Sequence, residues 1–550
     1  MAVDVLVLGA GAGGMTAAAA AAALGLRVLL CEATEQVGGT TATSAGTVWV
    51  PLNDHAREAG VEDSRASARA YLRALVEGAD DGRLDAFLDT GAAALRFLES
   101  NTELRFTLVP RHPDYRQEAP GAVLGGRALA CVPYDGRLLG AEFRRIRAPR
   151  EEFLVLGGMM VGKDDIAPLV EPLSSWHSFR HCMALLGRYA MDRLRYPRGT
   201  RLVMGNALVA RLYASLRSRA VEVRFATHAT RLLLEGGRVV GAEITGLAGS
   251  ERVDARRGVV LACGGVGSAA PHPLAFERNR GDGVALARAC GARLETDHPS
   301  AAFWMPVSIY PGRDGRPHAY PHIMLDRAKP GVIAVGQDGE RFTNEARSYH
   351  DFVLAMKERE RVQGAAFRCF LLCDAAALRK YGLGAVRPRA PRLAPYLQSG
   401  YLRSARDLAG LAAALSIPAA TLERAVARFN ADAARGVDTA FGRGASEFDR
   451  HNGDAAHAPN PCLAPLETAP YYAVELQHAD LAPSVGLETD ADAHVLDDGH
   501  KPIEGLYACG NEMASIMRGA YPGPGITLGP ALVFAYRAAC HMAGRPALAT

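Results

Sequence analysis

Val3-Asp4-Val5-Leu6-Val7-Leu8 followed by Gly9-Ala10-Gly11-Ala12-Gly13-Gly14 decides the fold of this 550-residue chain. The apolar run suits a strand buried on both faces, as in a parallel sheet. The G-x-G-x-x-G loop then opens an alanine-rich helix expected to run through Leu24. A second strand, Arg27–Cys31, ends on Glu32, roughly 20 residues past the loop. Gly9 permits the tight turn, Gly11 lets backbone approach a pyrophosphate, and Gly13 and Gly14 keep the helix close to the strand. The helix N-terminus offers N–H groups and positive dipole to phosphates, and Glu32 can accept from ribose hydroxyls. Strand, loop, helix and acid in register predict a dinucleotide site.

The next residues choose the cofactor. Val37-Gly38-Gly39-Thr40-Thr41 follows the acid closely and resembles the extended FAD fingerprint of the glutathione-reductase-like flavoproteins. That resemblance implies FAD, with Ser44, Ala45 and Gly46 on the same wall. No histidine stands in this stretch to form a covalent link, so the FAD is expected to be non-covalent.

FAD domains of this type are discontinuous, and the pieces return in order. Leu202–Leu216 is apolar at helical spacing. Val221–Phe225, Thr230–Leu234 and Arg238–Ile244 read as strands, the last two joined by Glu235-Gly236-Gly237. Val259–Cys263 is a further buried strand closed by Gly264-Gly265, and Asp282 follows where the domain gives way to an insertion. Near the C-terminus, Ile503–Cys509 runs into Gly510-Asn511, resembling the segment that returns to the ribityl and pyrophosphate of FAD. The expected class is therefore α/β: a Rossmann-like FAD-binding domain of glutathione-reductase type carrying an inserted α+β capping domain. The expected bounds are 1–281 and 469–550 for the FAD-binding parts and 282–468 for the cap.

Bulk properties narrow the function. A net charge of +3 gives no basic excess for nucleic acid. The ten cysteines lack metal-ligand spacing, so reduced thiols and no metal are expected. The first strand begins at Val3, leaving no room for a signal peptide, and no apolar run reaches the length of a membrane span. A cytoplasmic location is the expectation. Arg144, Arg145, Arg147 and Arg150 read as a solvated basic face, and Phe179–Arg193 as a helix.

No second nicotinamide site is present, so the flavin must take electrons from its substrate or from a separate donor. Two segments carry candidate chemistry. Asp338-Gly339-Glu340-Arg341-Phe342-Thr343-Asn344-Glu345 resembles a run found in the cap of fumarate-reductase-like flavoproteins, and Tyr349 follows at the catalytic distance. Tyr521-Pro522-Gly523-Pro524-Gly525-Ile526-Thr527-Leu528-Gly529-Pro530 forms a rigid loop opening a helix. Its bare N–H groups and helix dipole, around Gly525, Thr527 and Leu528, suit a carbonyl oxygen or a reduced flavin.

Y-P-G-x-G-x-x-x-G-P together with N-E-x-x-x-Y resembles the 3-ketosteroid Δ1-dehydrogenases, and Pro113-Asp114-Tyr115 resembles that family's active-site tyrosine segment. The resemblance implies that Tyr521 and the Gly525 N–H hold a ketone oxygen. Tyr349 would remove a proton from the neighbouring carbon, aided by Tyr115, and flavin would take hydride from the next carbon. A free tyrosine is only about 0.1% phenolate at pH 7, so a second hydroxyl and nearby dipoles must favour the anion. The implied substrate is a small hydrophobic, steroid-like ketone. The electron acceptor is left open, with a quinone among the candidates. Ser348 replaces an expected proline, Ala45 interrupts a serine-glycine-glycine pattern, and Arg518 adds a charge near Tyr521. Arg518 suggests a substrate with an acidic tail. Phe303 and Trp304 are expected to line an apolar pocket, and His350 to bond backbone. The alternatives are a fumarate-reductase-like reductase of an activated double bond and a desaturase of a non-steroid ketone.

Overall fold

The opening apolar run forms the strand Ala2–Leu8 in the computed structural model, which describes residues 1–268, 270–312, 315–323 and 326–547. It lies parallel to Val28–Cys31 on one side and Gly249–Leu261 on the other, with Leu8 opposite Cys31 and Leu261. Glu222–Arg224 and Pro502–Ala508 extend this parallel core outward. The C-terminal segment thus returns to the first sheet beside Val259–Leu261. The helix Ala12–Ala23 stops one residue before Leu24, which caps it. Ala17–Ala21 have no exposed surface, so small side chains allow this helix to pack tightly, in part against Leu528–Met542.

The strand expected at Val259–Cys263 begins much earlier, at Gly249. Its first half pairs antiparallel with Arg238–Gly246, which in turn pairs with His228–Glu235. Ser250, Glu251 and Arg252 are exposed, so this half carries no apolar signal. One strand therefore serves the parallel core and an antiparallel hairpin.

A second sheet is antiparallel throughout, in the order Pro317–Pro321, Ala302–Pro311, Tyr471–Pro483, Cys369–Asp374, Val332–Gly336. Helices Tyr349–Gln363, Leu408–Leu415 and Ala419–Arg435 cover it over two apolar clusters, one around Ile333 and Phe429, the other around Phe352 and Leu371. Tyr471–Pro483 is central to this sheet, so the cap sheet draws on residues on both sides of position 468. The largest apolar cluster runs from the parallel core into the cap at Phe303, Met305 and Tyr349, where the two parts meet.

The basic stretch is not a solvated face. Of its arginines only Arg144 is exposed. Arg145 bonds Glu35 and stacks over Phe225, 4.2 Å from the ring centroid. Arg147 lies 3.6 Å over Phe276 and donates to Thr34 Oγ1 at 3.1 Å, and Arg150 donates to the Ala319 carbonyl at 2.6 Å. A planar guanidinium is weakly hydrated and gains from aromatic faces, which draws these side chains inward. The ten cysteines are unpaired thiols. Among the described residues no helix is long and apolar enough to cross a membrane.

Candidate active site

One continuous cavity of about 2050 Å3, its open mouth included, runs between the glycine loop and the cap. Gly9, Gly11 and Gly13 line one end with Glu32; Gly39, Thr40, Thr41, Ser44, Ala45 and Gly46 form a wall. Gly264, Asp282, Gly510 and Asn511 face them, and Thr527 and Leu528 close the far side.

Three expected residues, Gly14, Gly38 and Gly265, support this cradle from behind. A Cβ on Gly14 would lie 2.0 Å from the Gly9 carbonyl oxygen, so helix and strand touch there. Gly38, at φ +122°, donates to the Ala10 carbonyl at 2.8 Å. Gly265 donates to Glu512 Oε2 at 2.9 Å. Glu32 accepts from the Ala10 N–H at 3.0 Å and the Thr34 N–H at 2.9 Å, which fixes its carboxylate at the cavity edge with lone pairs to spare. The helix N-terminus is partly committed, since the Ala12 N–H donates to Thr41 Oγ1 at 3.1 Å. The bare glycine edge, helix N-terminus and fixed acid fit a flavin dinucleotide.

The three nominated tyrosines meet at the cap side of the cavity. Tyr349 and Tyr521 share a 2.7 Å hydrogen bond between hydroxyls, and the Tyr115 hydroxyl lies 3.4 Å from that of Tyr349. Each is positioned by a different element. Tyr349 is the first residue of the helix Tyr349–Gln363, whose N-cap Ser348 accepts from the Asp351 N–H. Serine in place of proline thus caps the helix. Tyr115 follows Asp114, a buried carboxylate held by Trp49 Nε1 at 3.0 Å and Arg127 at 2.8 Å. The Tyr115 N–H and the Tyr71 hydroxyl both donate to the Pro522 carbonyl, at 2.8 and 2.7 Å, which ties this loop to the proline-glycine lip.

The lip lies flat on Thr47–Trp49. A Cβ on Gly523 would come 2.6 Å from Trp49 Nε1, and one on Gly525 2.3 Å from the Thr47 carbonyl oxygen. Gly525, at φ +94°, accepts from the Trp49 N–H at 3.2 Å. Its own N–H makes no hydrogen bond to the described residues and is open to an incoming acceptor.

Burial pushes all three phenols up, so the closed cluster disfavours phenolate. The Tyr521 hydroxyl works in the opposite direction on Tyr349, and so does Arg327. Sequence reasoning missed this arginine. It is almost fully buried and stacks over Phe352 at 5.0 Å. It donates to the carbonyls of His322, Ile323, Glu345 and Arg347 at 2.8–3.2 Å, binding a cavity wall to the loop ahead of Tyr349. Tyr115, the hydroxyl expected to assist the anion, instead acts with burial to push the Tyr349 phenol up, and together they outweigh Tyr521 and Arg327.

Several expectations are redirected. The Asp338–Glu345 run does not face the cavity: Arg341 pairs with Glu345 and Asp438, and Asn344 donates to Asp449, forming a buried clip inside the cap. Arg518 turns away from Tyr521 to bond Glu295 and the Glu77 carbonyl. Trp304 donates to Ser300 Oγ away from the cavity, while Phe303 meets Tyr521 edge-on at 5.5 Å. His350 accepts from the Trp304 N–H at 3.1 Å, a backbone bond as its position suggested. Further wall residues are His112, Arg150, Phe153, Met305, Ile323 and Leu481. Only His112 had a local signal, standing one residue ahead of the Pro113-Asp114-Tyr115 segment.

A sequence profile described as FAD binding domain matches residues 4–528. The chain is 36% identical over 98% of its length to a 4-oxocyclohex-2-ene-1-carboxylate 5-dehydrogenase of Sinomonas cyclohexanicum, covering 93% of that protein. It is 34% identical over 98% of its length to a 3-oxosteroid 1-dehydrogenase of Mycobacterium tuberculosis, covering 98% of it. Its structure is similar to the crystal structure of 3-ketosteroid Δ1-dehydrogenase from Sterolibacterium denitrificans in complex with 1,4-androstadiene-3,17-dione. The TM-score is 0.91 at 35% identity, covering 99% of both chains.

Proposed function

The chain belongs to the FAD-binding flavoprotein family that includes the 3-oxosteroid 1-dehydrogenases, and on that premise we propose how its own residues desaturate a ring ketone. It is an FAD-dependent oxidoreductase acting on CH–CH groups. The Tyr521 hydroxyl and the Gly525 N–H hold the ketone oxygen between them. Two donors on that oxygen draw density from the ring and acidify the hydrogens on its α carbon. Tyr349 takes one of these as a proton, with the Tyr115 hydroxyl 3.4 Å away on its other side. FAD, held along the glycine edge, supplies the acceptor for the hydride of the adjacent carbon. The substrate is a ring ketone of steroid-like or cyclohexanone type, the classes named for the relatives.

The observation that carries this reading is that the cluster of three phenols and the unpaired Gly525 N–H line one cavity, the same cavity that fits FAD. A phenol pushed up by burial is a strong base once ionised. Its ionisation becomes favourable when the ketone engages Tyr521 and the α hydrogen is polarised at the same moment. Tyr349→Phe tests the assignment: a general base contributes about 10²–10⁴-fold. The variant should retain its flavin and lose at least about a hundredfold in kcat. Retention of turnover within a few fold, with flavin intact, would remove Tyr349 from the role of base.

A further inference from the structure

We propose that the helix Trp176–Arg193, with the turn ahead of it, docks this protein on an anionic lipid surface. The inference is independent of the ring-ketone reading and concerns where the enzyme works.

Ser175 caps the helix, accepting from the Ser178 N–H. One side of it is packed: Cys182 Sγ donates to the Pro168 carbonyl at 3.0 Å, and Asp192 accepts from the Thr200 N–H and hydroxyl at 2.8 Å. Leu185 is buried on that side too. The other side is also apolar. Trp176, Phe179, Met183 and Leu194 recur at helical spacing, with Gly187 and Ala190 between them, and all six are exposed. Trp176 is 75% exposed and Leu194 83%, and Leu173, in the turn ahead, reaches 84%. An apolar face of this kind on a protein surface marks a partner or a membrane.

Charge selects between them. Arg180, Arg193 and Arg195 are exposed on the same segment, and among the described residues none of their guanidinium groups has a hydrogen-bond or ion-pair partner. Arg188 and Arg201 nearby are paired, with Asp135 and Asp165. From Leu173 to Arg195 the one carboxylate is Asp192, which is buried. Aromatic and aliphatic side chains flanked by free arginines, with no exposed acid, are the composition of a helix lying in a lipid interface. Arginine stems lie along apolar surface while their guanidinium groups reach phosphate. A second copy fits this face poorly, because a two-fold contact sets the patch against itself and brings like charges together.

The segment reaches the cavity through one hairpin. Arg150 and Phe153 line the cavity, and Leu154–Val155, which follows, pairs with Met159–Met160. The Tyr189 hydroxyl donates at 3.0 Å to the carbonyl of Leu156, an exposed residue in the turn of that hairpin. A lipid surface against the helix therefore lies near a cavity wall, on the side of the phase that favours apolar ketones.

The test is sedimentation of the FAD-loaded enzyme with vesicles of phosphatidylcholine alone or mixed with phosphatidylglycerol. The enzyme should pellet with the mixed vesicles and far less with the neutral ones. Trp176 reports the same event, since Trp49 is buried and Trp304 half-buried: tryptophan emission should shift to the blue on mixed vesicles. A variant carrying Leu173→Ser, Trp176→Ser and Leu194→Ser should stay in the supernatant. Each cation near an anionic bilayer strengthens binding roughly fivefold. Arg180→Gln, Arg193→Gln and Arg195→Gln combined should therefore weaken it at least about tenfold. Both variants should keep the parent's Tm and its vesicle-free turnover of a water-soluble ring ketone, because these side chains line neither the cavity nor a buried cluster. A parent protein that stays in solution with mixed vesicles, pellets equally with both lipids, or binds undiminished after either set of substitutions would overturn the proposal. So would light scattering that shows a dimer dispersed by the serine variant, with no uptake onto vesicles.

Discussion

Replacing Tyr521 by phenylalanine removes one oxygen from the phenol cluster and preserves the ring contacts, the stack on Tyr115 at 5.6 Å and the edge contact with Phe303 at 5.5 Å. Two effects on catalysis follow. A ketone oxygen is left with the Gly525 N–H alone, and loss of one such donor costs about 10²–10³-fold in kcat, roughly 3–4 kcal/mol. Tyr349 also loses its 2.7 Å partner, whose hydrogen bond favours the ionised phenol, so its pKa climbs further. The stability cost is smaller, about 1 kcal/mol for one net hydrogen bond between buried hydroxyls. The expected variant therefore keeps its flavin, melts within a few degrees of the parent and turns over at least about a hundredfold more slowly. Steady-state rates on a ring ketone, measured from about pH 6 to pH 9, carry a second readout. Burial holds the Tyr349 phenol above its ordinary range, so the ionised fraction grows throughout this window. kcat/KM should rise with pH in both proteins, by up to about tenfold per unit. A flat profile in the parent, or a Tyr521→Phe rate within about threefold of it, would refute the reasoning.

Two further outcomes follow from the same geometry. Gly525→Ala places a Cβ 2.3 Å from the Thr47 carbonyl oxygen at φ +94°, so the lip must lift off Thr47–Trp49 and carry its N–H with it. Strain of order 1–3 kcal/mol and a large loss of kcat are expected together, and thermal melts beside kinetics that both match the parent would contradict this. His350 is buried and its pKa is pulled down to about 4, chiefly by desolvation. Below pH 6.5 the unfolded chain binds a proton that the folded chain accepts only near 4, so stability falls with pH across that interval. The contribution of this one imidazole is on the order of 3 kcal/mol by the acid end. His350→Asn should flatten the decline in chemical-denaturation midpoints over that range; an unchanged slope would place the acid sensitivity elsewhere.

The parts legible in the sequence are those where backbone conformation dictates residue type. Gly9 at φ +101° and Gly525 at φ +94° leave no room for a side chain, and each announces itself inside a short fixed motif. Strands buried on both faces, such as Val28–Cys31, also read directly because nothing polar interrupts them. The exposed half of Gly249–Leu261 does not, since a solvated hairpin tolerates Glu251 and Arg252 as readily as apolar residues. The line of phenols required more than local pattern: Tyr115, Tyr349 and Tyr521 come from three separate segments, and only the family resemblance joined them. Arg327 gave no signal at all, because its importance lies in four carbonyls offered by two other loops.

The contrast between Arg518 and His112 shows a more general limit. Arg518 is three residues from Tyr521, and proximity along the chain placed its charge at the pocket. The backbone there turns at φ +45°, and a long flexible side chain carries its guanidinium to Glu295, which also holds Arg83 at 2.7 Å and His298 at 3.1 Å. A charge on four rotatable bonds settles beside its counter-charge, so the position of its Cα says little about where it acts. An imidazole or a phenol has two side-chain torsions, and its polar atom stays close to where the backbone puts it. His112 therefore lines the cavity as Tyr115 does, whereas the acidic-tail expectation attached to Arg518 loses its charge to Glu295. Short, rigid side chains transfer from a motif to a site; long cations have to be located by their partners.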